Sequence, residues 1–278
     1  MRPQWYPEPA MVDIHHHLLP GLDDGSPDLS TSLDMARMAV ADGITHVVCT
    51  PHASHHWTYD PTLVAAKLEE LRSALAAESI PLTLASGCDF HLSSTNVDDA
   101  FQNPTKYTVN HKSYLLVELP DVILQGGIRE TLHNLRVSGM TPILTHPERN
   151  LTLQKNTERL ASWMRGGLHV QVTAGSVLGK MGREAERMAH ELLADRWVHF
   201  LATDAHNTTS RPPQMRKAFD LVAKRYGADY ADALCNRNPA AVFAGEALPH
   251  NPPPLHLFED EEEDSEPKRP LWRKLLNI

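Results

Sequence analysis

Short β-branched, apolar runs alternate along the chain with longer stretches in which apolar residues recur at helical spacing. Seven runs read as strands: residues 11–15, 45–50, 82–86, 114–119, 142–145, 169–173 and 198–203. Between the first two, Ser26-Pro27 has the form of an N-cap followed by proline in the first turn. Leu29, Leu33, Ala36 and Val40 then share a face and Gly43 closes the segment, which predicts a helix. Asp60-Pro61 opens a second one, with Val64, Leu68, Leu71 and Leu75 forming the stripe of a helix that faces a sheet. Further helices are predicted over residues 127–137, 157–165, 183–195 and 214–226. Strand and helix in strict alternation predict an α/β architecture built on a parallel sheet or barrel.

Composition narrows this picture. The chain of 278 residues has a formal net charge of −9, which argues against a nucleic-acid binder working through broad basic electrostatics. No run approaches the ~18 consecutive apolar residues of a membrane span. Three cysteines, Cys49, Cys88 and Cys235, have no CxxC spacing; a reducing compartment fits them, and with no signal-peptide pattern after Met1 the expected location is the cytoplasm. Near residue 249 the character changes to Pro252-Pro253-Pro254, then seven acids within residues 259–266, then a basic and apolar end that includes Trp272, Arg273 and Lys274. The expected division is an extension over 1–10, a folded domain over 11–248 and a disordered tail over 249–278, because proline runs and like-charge blocks bury too little apolar area to order themselves. The terminal peptide suits weak peripheral contact with an anionic membrane surface or a partner.

The seventeen histidines change the picture most. Parallel α/β folds place active sites at the carboxyl ends of their strands, and these ends hold nitrogen and oxygen donors. The first run finishes in His15-His16-His17, with Asp23-Asp24-Gly25 in the loop after it; alternation puts His15 and His17 on one face and His16 on the other. The second leads to His52, the third to Asp89, the fourth to Glu118, the fifth to His146, and the last to Asp204 and His206. One strand-end histidine is usually incidental, and an affinity tag is a second bland account of the triplet, but six strand ends agree. His15, His17, Asp24, His52, Asp89, Glu118, His146, Asp204 and His206 make nine donors, too many for one ion. Imidazole with carboxylate and no thiolate favours Mn, Fe or Zn. Arg149 and Arg211 follow two of these ligands closely, and guanidinium groups suit an oxyanion substrate. His55, His56 and His91 are candidates for the rim.

The series Val12-Asp13-Ile14-His15-His16-His17, Asp23-Asp24-Gly25, Thr50-Pro51-His52, Thr145-His146-Pro147-Glu148-Arg149 and Asp204-Ala205-His206 through Arg211-Pro212-Pro213 resembles the polymerase and histidinol phosphatase (PHP) superfamily. Within it the chain is similar to the bacterial manganese-dependent protein-tyrosine phosphatases of capsular and exopolysaccharide operons. The resemblance implies a distorted (β/α)7 TIM-like barrel with three divalent metal ions, Mn first, with Fe or Zn as alternatives. It places His15, His17, Asp89 and Asp204 on the first ion, Asp89, Glu118 and His146 on the second, and Asp24, His52 and His206 on the third, with Arg149 and Arg211 on phosphate. Asp89 stands where the family usually has glutamate, one methylene longer.

The activity so implied is hydrolysis of phosphotyrosine by metal-activated hydroxide, without a phosphoenzyme, on a protein partner that the resemblance identifies as the tyrosine-rich tail of a bacterial tyrosine kinase. A cysteine nucleophile is excluded by spacing, since no arginine stands six positions after Cys49, Cys88 or Cys235, where His55, Ser94 and Ala241 occur. The alternatives are a small-molecule phosphatase such as histidinol phosphatase, and a metal-containing interaction protein without activity.

Overall fold

Parallel strands, most of them followed by helices, make up the body of this computed structural model, which describes residues 10–120, 127–250 and 253–258. In chain order the elements are β1 (Met11–His16), α1 (Leu29–Asp42), β2 (Ile44–Cys49), β3 (His52–Ala53), α2 (Pro61–Ala77), β4 (Thr83–Ser86), β5 (Asp89–His91), α3 (Ser94–Gln102), β6 (Tyr114–Glu118), α4 (Ile128–Val137) and β7 (Thr141–Thr145). They continue with α5 (Leu151–Lys155), α6 (Thr157–Arg165), β8 (His169–Thr173), α7 (Ala174–Val177), α8 (Arg183–Ala194), β9 (Phe200–Ala202), α9 (Arg216–Tyr226), α10 (Ala228–Asp232) and α11 (Asn238–Ala244). One sheet has the order β1-β2-β4 and the other β3-β5-β6-β7-β8-β9, with every pairing parallel.

Among the described residues, the seven predicted runs therefore become nine strands. The two additional ones, β3 and β5, lie just past the predicted ends of the second and third runs. Pro51 lacks the N–H that would continue β2, and the chain restarts as β3 in the second sheet. The same happens at Gly87-Cys88, where the backbones come close: a Cβ on Gly87 would lie 2.7 Å from Val48 Cγ1. Gly87 N donates to Cys49 O at 2.9 Å and Asp89 N to Pro51 O at 3.2 Å, so the two interrupted segments remain stitched together. At the far edges, a parallel bridge pairs His16 with Ala205, His17 N donates to Ala205 O and Asp204 N donates to His15 O, each at 2.9 Å. Asp13 adds a side-chain tie, accepting from Thr203 N at 3.0 Å and from the Thr203 hydroxyl.

Both faces of the strands are buried, as expected of parallel sheets. Leu115, Val117, Leu144, Val170 and Leu201 pack in the larger core with the helix stripes, including Leu33, Ala36, Leu68 and Leu71. Val12, Ile14, Val48, Leu116, Ile143 and Phe200 form a second apolar cluster on the opposite face, joined by Val242 of α11. Register sets Asp89 beside Leu116 and Gln171 beside both Thr145 and Phe200. The face that is apolar at Leu116, Ile143 and Phe200 thus turns polar towards the strand ends, and the apolar cluster floors the donors.

One expectation needs correction. The cap of α1 is Asp28, whose carboxylate accepts from Thr31 N at 2.8 Å. Ser26 is instead buried in the loop, where its hydroxyl donates to Asp28 O. Within the segment expected as a tail, the described residues 253–258 lie against the body. Leu255 N donates to Asp195 O at 2.8 Å, Trp197 Nε1 to Leu255 O at 2.9 Å and Arg165 Nε to Leu257 O at 2.8 Å. Leu257 is buried: Leu255 and Leu257 punctuate the proline-rich stretch with enough apolar surface to hold it on the body. Residues 1–9 and 259–278, which hold nearly all of the expected extension and the charged part of the tail, lie outside the described residues.

Gly87→Ala tests the stitched strand break. A methyl group there meets a valine within a packed core, and overpacking of this kind costs about 1–3 kcal/mol. The urea midpoint is expected to fall by the corresponding amount, and an unchanged midpoint would show that the strands have slack at this point.

Candidate metal centre

The strand ends deliver all nine predicted donors to one place. They form four overlapping groups whose ligand atoms lie within 4.8 Å of one another: His17, Asp24, His52 and His206; His15, His17 and Asp89; His15, His146 and Asp204; and His52, Asp89 and Glu118. The groups share members, as a multinuclear centre with bridging ligands would. His15 Nε2 and His17 Nε2 are each 3.4 Å from Asp204 Oδ1, and His15 Nε2 is also 3.4 Å from Asp89 Oδ2. His52 spans two groups, with Nδ1 3.3 Å from Asp89 Oδ2 and Nε2 3.4 Å from Asp24 Oδ1. His146 Nε2 lies 3.6 Å from Glu118 Oε1.

The donor atoms fit metal ions on their own chemistry. Asp89 Oδ2 and His206 Nε2 are buried and make no hydrogen bond among the described residues, although both point into the cluster. A buried acceptor without a donor is costly, and coordination would satisfy both. Two of the nine donors also sit in left-handed backbone conformations, His146 at φ 35° and Asp204 at φ 52°. Such strain in non-glycine residues concentrates at functional sites.

Electrostatics separates the histidines into two kinds. Burial opposes the charging of His15, but Asp89 and Asp204 outweigh it and raise its pKa to about 9. Burial likewise opposes the charging of His52, and Asp24, Asp89 and Glu118 raise its pKa to about 11. His146 is lowered to about 3 by burial and by Arg149, and His206 to about 3 by burial and by His17. Asp89 and Asp204 are held well below the ordinary carboxylate range: burial opposes this, and His15 leads the groups that overcome it.

Other residues act on the donors without having been predicted as site residues. Asp23 Oδ2 accepts from His17 Nδ1 at 2.6 Å and from His52 N at 3.0 Å, while its Oδ1 accepts from Gly25 N at 2.9 Å. One carboxylate therefore orients two donors, His17 through its ring and His52 through its backbone. Gly25 is needed by close approach, since a Cβ would lie 2.4 Å from His17 Cβ and 2.5 Å from His17 O. Gln171 Oε1 lies 3.0 Å from His15 Nδ1, which leaves Nε2 for the cluster. Such partners fix the tautomer and aim of metal-ligating imidazoles. The sequence signal for Gln171 was one amide between Val170 and Val172 in an apolar strand; for Asp23 it was adjacency to Asp24.

Arg149 Nη1 and Arg211 Nη2 both donate to Asp204 Oδ2, so two segments far apart in sequence converge on one carboxylate. A cavity of about 100 Å³ lined by Glu118, Thr145, His146, Arg149 and Asn150 opens beside them. A larger groove of about 460 Å³, lined by Arg129, His133, Arg136 and Trp163 among others, contains none of the nine donors. His16 is buried outside the four donor groups, with burial lowering its pKa to about 3. Glu148, part of the motif string, is wholly buried and structural: its Oε1 accepts from Thr173 N at 3.0 Å and Ser176 Oγ at 2.7 Å. The three cysteines are buried free thiols, and burial raises all of their pKa values. None is placed to act as a nucleophile.

Comparison with known proteins follows the same line. The family described as "Capsular polysaccharide synthesis, CpsB/CapC" matches residues 11–244. "Tyrosine-protein phosphatase YwqE" of Bacillus subtilis (strain 168) is 29% identical over 244 residues, covering 87% of this chain and 95% of that protein. "Tyrosine-protein phosphatase CpsB" of Streptococcus pneumoniae is 27% identical over 247 residues, covering 86% and 100%. A crystal structure from work on YwqE and CpsB, described there as "unique metal-dependent tyrosine phosphatases", superposes with a TM-score of 0.82 at 28% identity over 88% of this chain and 98% of that one. A phosphotriesterase homology protein from Escherichia coli shares the fold at a TM-score of 0.54 and 12% identity.

Two measurements test this centre. Metal ions must displace protons from His15 and His52, whose raised pKa values keep them charged at pH 7, whereas His146 and His206 are already neutral. Titration of metal-free protein with Mn at pH 7 should therefore release protons, read as a dependence of the calorimetric heat on buffer ionisation enthalpy. Apparent affinity should rise between pH 7 and 9, and heat independent of buffer would refute this. Asp23→Ala should lower metal affinity by about 10- to 100-fold, measured as metal retained on dialysis.

Proposed function

The chain belongs to the capsular polysaccharide synthesis family CpsB/CapC, and from that premise we propose that its nine-donor centre makes it a metal-dependent protein-tyrosine phosphatase, a hydrolase of phosphoric monoesters. The observation that carries this reading is the convergence of all nine donors and both arginines at one set of strand ends. The similarity of YwqE and CpsB over most of the chain supports it.

The finer reading distributes the donors over three divalent ions: His15, His17, Asp89 and Asp204; Asp89, Glu118 and His146; Asp24, His52 and His206. Mn is the first choice, with Fe or Zn as alternatives, because oxygen and imidazole donors without thiolate suit these ions. When bound, such ions supply Lewis acidity that makes water a nucleophile near neutral pH and offsets phosphate charge. Asp23 and Gln171 keep the imidazole lone pairs of His17 and His15 aimed inward. Arg149 and Arg211 hold the non-bridging phosphate oxygens from the side of Asp204. Their charge stabilises the transition state of phosphoryl transfer, where positioning and electrostatics dominate. The tyrosine leaving group departs as a phenolate with a pKa near ~10, so it needs less proton donation than an alkoxide would.

The strand order, with the bridge from His16 to Ala205 joining the two edges, supports a distorted (β/α)7 barrel as the scaffold. The partner we infer is a phosphotyrosine-bearing protein, in first place the tyrosine-rich tail of a bacterial tyrosine kinase. No helix among the described residues is long and apolar enough to cross a membrane.

Hydrolysis of a phosphotyrosyl peptide should vanish on chelation and return with Mn. Arg211→Ala and Arg149→Ala should each lower kcat/KM by about 100-fold or more with metal content unchanged, the loss typical of removing one transition-state contact. Full activity in the chelated protein would exclude the metal mechanism, and unimpaired turnover in both variants would exclude the arginines from phosphate binding.

A further inference from the structure

The donors and the two arginines meet only the phosphate end of a substrate, which is common to every phosphoric monoester. Preference for phosphotyrosine must therefore come from groups that meet the aryl ring, because selectivity reflects differential contact in the transition state. A ring-bearing surface does border the centre. After donating His52, β3 runs into a tight turn in which Ser54 N donates to Trp57 O at 2.9 Å, and Ser54 Oγ accepts from His56 N at 3.2 Å and from Trp57 N at 3.3 Å. This turn holds His55 and His56 out in solvent, with their ring centroids 3.7 Å apart. The His55 ring is 6.4 Å from that of His91, and His91 Nδ1 is 3.7 Å from Glu118 Oε2, a donor of the centre. The three imidazoles thus make a continuous path of rings from a donor to the surface. They issue from β3 and β5 at one end of the larger sheet, whereas Arg149 follows β7 and Arg211 follows β9 towards the other.

We propose that the closely packed, tilted His55–His56 pair and His91 form an aryl-recognition lip, against which the phenyl ring of a phosphotyrosyl side chain packs while its phosphate is held by the arginines. This rests on the phosphatase reading above and deepens it, assigning the choice of phosphotyrosine over phosphoserine to these three residues. Ring pairs favour centroid separations of about 4.5–7 Å in tilted or offset arrangements. The His91–His55 step, at 6.4 Å, already has such spacing, with His56 in closer contact beyond it, and a ring added to the path extends it. A phosphoseryl side chain has no ring and gains nothing from the lip.

The test uses the metal-loaded full chain and a matched pair of phosphotyrosyl and phosphoseryl peptides. In His55→Ala/His56→Ala, KM for the phosphotyrosyl peptide should rise about 3- to 10-fold, the range that aromatic pair energies convert to. Its kcat, the bound metal and kcat/KM for the phosphoseryl peptide should stay within twofold. His55→Phe/His56→Phe should recover most of the lost preference, because it restores ring faces without imidazole chemistry. An unchanged preference in the alanine variant overturns the proposal, as does an equal loss on both peptides with loss of metal, which would make the turn a support for the centre. Wild-type protein that hydrolyses neither peptide but another monoester would overturn the phosphatase reading itself.

Discussion

The carboxylate of Asp204 is the point on which the structure converges. It is buried at the end of β9, and His15, His17, Arg149 and Arg211 all approach it. A charge so placed is tolerable only with its partners present, since removing one side of a buried ion pair leaves the other uncompensated. Its backbone is also held in the left-handed region. Stability at this point and the arrangement of the donors are consequently one requirement. The pairing of β1 with the segment after β9, through the His17 and Asp204 amides, brings residues nearly two hundred positions apart within reach.

Around this convergence the protein keeps two kinds of polar residue. The donors have lone pairs that face one another across 3.3–3.6 Å, distances that suit ions between them better than direct hydrogen bonds. The residues behind them make ordinary hydrogen bonds: Asp23 on His17 and His52, Gln171 on His15, Glu148 on the start of α7. The outer contacts are short, at 2.6–3.0 Å, and the inner ones are longer and open. An outer layer of this kind fixes ligand direction in advance, which lowers the entropy lost when ions and substrate bind. Beneath both, the cluster of Ile14, Leu116, Ile143 and Phe200 excludes water from the floor. The charges above it act in a medium of low polarizability, where each is stronger than it would be in water.

Much of this was legible in the residues alone. Alternating strand and helix patterns gave the α/β class, and the second helix stripe, Val64, Leu68, Leu71 and Leu75, is buried as its spacing required. Strand-end chemistry picked out the donors, because an imidazole or carboxylate at the end of an apolar run is conspicuous. The breaks after β2 and β4 were less legible, since Pro51 and Gly87 act through what they lie against. Asp28 rather than Ser26 caps α1 for a similar reason: both residues can cap a helix, and the contacts of Ser26 with the preceding loop took it out of competition. The docking of Leu255 and Leu257 was hidden by the prolines and acids around them.

Residue order alone carried the inventory: parallel strands buried on both faces, and nine donors with two arginines at their ends. Those properties depend on local periodicity and residue type, which act over a few neighbours. Contacts across the fold set which donor faces which, bring both arginines to Asp204, let Asp23 hold two donors at once, and line up His55 and His91 in a path of rings to the surface. These depend on strand register and edge pairing, which join positions distant in the chain, and a register change of one residue would turn each side chain to the opposite face.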